Sequence, residues 1–169
     1  AALRALSDWM FTDDSTVAVA GVRGSDVSIQ ALVYPPSGWI APDLLEGPLE
    51  VRVDRDALGM SKLHLAASDA SGKQTTWPLR FSAGSARVPD AALAGDRVEV
   101  RVDSGEGDAL LAVWRLVPAE DQRSLAAILD GIDGDMGPQA EVERLLLRAA
   151  VFAEEGCHHQ AAAALAEAL

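Results

Sequence analysis

The sequence predicts an α+β fold: an antiparallel β-sandwich of about seven to eight strands followed by a three-helix, repeat-like tail. Three observations predict it. Residues 15–117 alternate apolar and polar side chains with a period of two. After Pro118 the apolar spacing becomes helical. Charge divides at the same place, with net −5 over residues 1–117 and net −7 over the much shorter 118–169.

The elements follow in order. Residues 1–14 read as an N-terminal helical segment, with Leu3, Leu6, Trp9 and Met10 on one side. Strands are expected at TVAVAGV (16–22), VSIQALVY (27–34), LEVRV (49–53) and KLHLAA (62–67). Four more fall at TTWPLRF (75–81), ARVP (86–89), RVEVRV (97–102) and ALLAVWRLV (109–117). RVEVRV is the clearest, with Val98, Val100 and Val102 on one face and Arg97, Glu99 and Arg101 on the other. SDASGK and DSGEGDA supply turn residues, and YPPSGW reads as a rigid turn. Pro78 removes a ladder donor and places its strand at an edge or bulge. Trp77 and Trp114 are expected in the core.

The tail, 118–169, reads as three helices. AEDQRSLAAILD (119–130) carries acids in its first turn. PQAEVERLLLRAAVFAEEG opens on Pro138 and closes on Gly156, and HHQAAAALAEAL (158–169) completes a hairpin over about 138–169. Between the first two lies ILDGIDGDMGPQ, whose Asp130, Asp133 and Asp135 among glycines invite a calcium reading. An EF-hand loop needs acids at positions 1, 3 and 5, Gly at 6 and Glu at 12. Counted from Asp133, Pro138 takes position 6 and Arg144 position 12; counted from Asp130, Ile132 takes position 3. The stretch reads instead as an inter-helix linker, with Gly131 ending one helix.

The hairpin resembles a single tetratricopeptide repeat. Leu145 and Phe152 match the large positions of the family's first helix and Ala149 its small one. Gly156 matches the corner, and Ala161, Leu165 and Ala168 match the second helix. Arg148 departs from the pattern, standing where the family has an apolar residue. The resemblance implies close helix packing and a protein-binding role. A single repeat cannot bury its own face, so it packs on the sandwich or begins a longer array. The order of domain and tail also looks like bacterial extracytoplasmic proteins of unassigned function.

The 169 residues carry a net charge of −12, which argues against nucleic-acid and anionic-membrane partners. No apolar run reaches membrane-spanning length, and AALRALSDWM lacks the pattern of a signal peptide. With one cysteine, Cys157, the compartment stays open, an extracytoplasmic (periplasmic) location being slightly favoured over a cytoplasmic one.

No catalytic constellation stands out, and no cofactor or metal is expected. His64 reads as a rim histidine; the hydrolase alternative pairs it with Asp54 or Asp56. Asp103, Glu106 and Asp108 form a further acidic loop. Cys157, His158 and His159 are adjacent, where ligands to one metal would be spaced, and read as structural. Gly21 and Gly24 lack phosphate-loop spacing. The expected function is a non-enzymatic protein–protein interaction or assembly module, soluble and acidic. Its partner would be another protein, basic or neutral at the contact. Tyr34, Trp39, Phe152, His158 and His159 are the candidate partner-binding residues. The other alternative is a glycan- or peptide-binding module built around Tyr34 and Trp39.

Overall fold

The computed structural model describes residues 33–53, 62–103, 107–136 and 140–169. The segment 1–14, the expected strand at 16–22, Gly21, Gly24, Asp54, Asp56 and Glu106 lie outside the described residues.

Among the described residues, eight strands, β1 (Val33–Tyr34), β2 (Gly38–Ile40), β3 (Glu50–Val53), β4 (Lys62–Ser68), β5 (Gln74–Pro78), β6 (Ser85–Arg87), β7 (Arg97–Asp103) and β8 (Asp108–Leu116), form two sheets. Three helices follow: α1 (Ala119–Asp135), α2 (Glu141–Glu154) and α3 (His158–Ala168). One sheet has the order β1-β3-β6 and the other β2-β8-β7-β4-β5.

Alternation built the longer strands as the sequence predicts. Val98, Val100 and Val102 are buried on β7, and Leu63 and Leu65 on β4. They meet Val51 of β3, Ala86 of β6 and the fully buried Trp114 of β8 in one core to which both sheets contribute. Trp77 packs against that core, half-buried. Pro78 lies in β5, an edge strand of the larger sheet, where a missing donor is harmless. The SDASGK turn is organised by Asp69, whose Oδ1 accepts hydrogen bonds from the backbone N–H of Ser71 and of Lys73. Its carboxyl is held below the usual range, first by the Ser71 hydroxyl and then by the Lys73 N–H.

Two expectations are corrected. The larger sheet is mixed: β2 runs parallel to β8, with Gly38 opposite Trp114 and Ile40 opposite Leu116. A parallel pairing needs a long crossover, and here β3 to β7 all intervene. Part of YPPSGW is therefore strand, ordered by contacts distant in sequence. Trp114 Nε1 donates to the Pro35 carbonyl, and Val113 N–H donates to Ser37 Oγ. Second, Gly131 does not end α1, which continues to Asp135. An exposed glycine costs a helix only about 1 kcal/mol, and the last turn is tied down: Asp133 pairs with Arg148 at 2.8 Å and with Arg144 at 3.7 Å. The described α2 begins at Glu141, after Ala140, and Pro138, where the sequence places its start, lies outside the described residues.

Helix α2 ends in a Schellman motif. Gly156 has φ +74°, its N–H donates to Ala153 O, and Cys157 N–H donates to Phe152 O. Helices α2 and α3 pack on each other, α1 packs on α2, and α3 packs on β2. Leu125, Leu129, Phe152, Cys157, Ala161 and Ala41 make a second core.

Candidate functional site

The structure brings most of the candidate residues to one place, the seam between β2 and the α2–α3 corner. Trp39 N–H donates to the Gly156 carbonyl at 3.3 Å. A Cβ on Gly156 would lie 3.0 Å from Trp39 Cδ1, and one on Gly38 would lie 3.7 Å from His158 Cδ2. The hydroxyl of Tyr34 and Nδ1 of His159 are hydrogen-bonded at 3.1 Å, their rings meeting edge to face. Burial, with Arg52 adding to it, holds His159 below its ordinary pKa, because its charged form loses hydration.

Phe152 belongs to the second core and is only 3% exposed. It holds the corner and is almost wholly buried, touching solvent only at the floor of a small depression. Cys157 is fully buried, and burial, reinforced by Glu155, pushes its thiol up to about 11. At neutral pH it is an unreactive thiol. Tyr34 and Trp39 remain more than a third exposed.

Two residues with no signal in the sequence complete the seam. Gln122 is buried; its Oε1 accepts from Asp43 N–H at 2.7 Å and its Nε2 donates to Val117 O at 2.8 Å. Gln160, also buried, donates to Ala41 O at 3.0 Å. The two amides add hydrogen bonds to the backbone of the 41–43 segment where it leaves the sheet, Ala41 O also accepting from Leu44 N–H.

Around this seam lie two depressions. The larger, about 460 Å³, is an open groove lined by Trp39, Val117, Pro118, Asp121, Ser124, Leu125, Ile128 and Glu155. The smaller, about 140 Å³, lies between the 44–48 segment and α3 and reaches Phe152, His159 and Gln160.

The remaining candidates stand elsewhere. On the outer face of the larger sheet His64 Nε2 lies 3.3 Å from Asp108 Oδ2. Beside it Glu99, 7% exposed, is clasped by Arg97 and Arg101 at 2.6 Å each. The described partner of His64 is thus Asp108. Among the described residues, no group of three or more His, Cys, Asp or Glu side chains is placed to hold a metal ion, and no helix is long and apolar enough to cross a membrane.

Compared with models of protein families, with curated proteins and with solved structures, the chain matches none.

Proposed function

We propose that the chain is a non-enzymatic protein–protein interaction or assembly module, a β-sandwich bearing a tetratricopeptide-like hairpin. The observation that carries the reading is the set of large apolar side chains left exposed on the tail helices. Ile128, Val142 and Leu147 are 50%, 51% and 44% exposed, although the same helices bury Leu125, Leu129, Leu145 and Phe152. Apolar side chains exposed to water raise the free energy of the chain, and a partner that covers them lowers it.

The test is solution association of the whole protein, by light scattering and by chemical crosslinking in its native cells. A complex that is lost on combining Ile128→Ser, Val142→Ser and Leu147→Ser supports the reading. A protein that stays monomeric and crosslinks to nothing ends it.

A second reading, a glycan- or peptide-binding module, is favoured by the two half-exposed rings of Tyr34 and Trp39 at one seam. Tryptophan fluorescence across a glycan panel tests it, and a flat response to every glycan removes the glycan form.

A further inference from the structure

The groove beside Trp39 has a chemistry more specific than an apolar patch. Its walls are aromatic and aliphatic, from Trp39, Leu125 and Ile128, while Asp121 and Glu155 supply carboxylates. Both acids are exposed, and neither forms an ion pair among the described residues. This contrasts with Asp133, Glu46 and Glu99, which are all matched to arginines.

Glu155 also stands at the wrong end of its helix. The C-terminus of a helix carries partial negative charge and favours cations. Here α2 ends in Glu154 and Glu155, with no basic residue in its last turn. The folded chain thus holds an uncompensated negative site next to an apolar wall. A positive group from outside would neutralise both the carboxylate and the helix end.

The wall itself is fixed in advance. Trp39 is held by its backbone bond to Gly156 and by the Arg115 guanidinium 5.7 Å from its ring. A preformed wall lowers the ordering cost of binding. A second copy of this chain is the wrong occupant, since each copy carries net −12 and the two would repel.

We propose that this groove docks a basic segment of a partner protein, in which Lys or Arg side chains reach Asp121 and Glu155 while a neighbouring aliphatic side chain packs on Trp39 and Ile128. The proposal rests on the interaction reading above and narrows it to one surface and one partner chemistry.

The test uses the whole protein labelled for amide NMR and two synthetic peptides, Ac-GKLKIKG-NH2 and its acidic counterpart Ac-GELEIEG-NH2. The basic peptide should shift the Trp39 indole, Ser124, Ile128 and Gly156 signals, and the acidic one should not. Glu155→Gln and Asp121→Asn should each weaken the basic peptide about fivefold, and salt should weaken it further. Both substitutions keep side-chain shape, and the unperturbed remainder of the spectrum reports that the fold is intact. Four results overturn the proposal: no shifts with either peptide, equal binding of the acidic peptide, unchanged affinity in both variants, or shifts at Val142 and Leu147 instead. The last leaves the interaction reading standing on another face. A complex recovered by crosslinking with no peptide response separates the two in the same way.

Discussion

Gly156 and His159 are two residues whose replacement reads out the seam directly. Gly156 sits at φ +74°, where a side chain is strained, and faces Trp39 at contact distance. Gly156→Ala should cost about 1–2 kcal/mol in chemical denaturation, from backbone strain together with displacement of the indole. An unchanged midpoint would show that the corner is looser than described. His159 gives a pH signature. Its folded pKa is below the ordinary 6.5, so the unfolded chain takes up the proton first as pH falls. Its contribution is therefore present above about pH 6.5 and is lost as pH drops through the lower folded value. Thermal melts should show the midpoint falling on acidification over that range, with His159→Gln flattening this part of the profile. Gly156 was legible as the residue that closes the helix, but its approach to Trp39 was not, and neither was the contact of Tyr34 with His159, because these pairs are far apart in sequence.

At the scale of elements, legibility followed the reach of the forces. The strands of the larger sheet were readable because Val98, Val100 and Val102 share one face by simple alternation, as do Leu63 and Leu65. The helices were readable from Leu125, Leu129, Leu145 and Phe152. Strand β2 was not, since Pro35, Pro36 and Gly38 dominate its local pattern and its partner β8 comes much later in the chain. The extent of α1 was missed for a similar reason, because Arg144 and Arg148 of the next helix secure its last turn. Arg148, anomalous against the repeat pattern, is accounted for by its ion pairs to Asp133 and Glu46. The buried glutamines carry the same lesson, being polar residues that composition assigns to the surface. Gln122→Ala should cost about 2–3 kcal/mol, because Asp43 N–H and Val117 C=O then lose their partner. Thermal or denaturant unfolding measures it, and a loss within about 0.5 kcal/mol of zero would mean that water replaces the amide without penalty.

Across the whole molecule, β2 belongs to two cores at once. Ile40 packs in the sheet core, and the adjacent Ala41 packs among the helices. Val117 N–H donates to Ile40 O, so the start of the tail is bonded to the same strand. Opening the tail should therefore loosen that sheet edge. Native-state hydrogen exchange should find the amides of Val117, in the β2–β8 seam, and Ala161, in α3, opening with one free energy. Much faster exchange at Ala161 would show a tail that lifts off alone.

The parallel pairing of β2 with β8 has a consequence for the order of assembly during synthesis. β2 leaves the ribosome before β3 to β7, yet the strand it lies beside is made only after them, just ahead of the helices. Until then Ile40 and Ala41 have neither neighbour, and the tail has no surface on which to settle. Closure of that edge and docking of the helices thus become one late event. Pulse-labelled exchange on refolding should detect protection in α3 no sooner than in β8. In this sense the tail acts as a completion check: its groove takes shape only on a chain whose sheet is already whole.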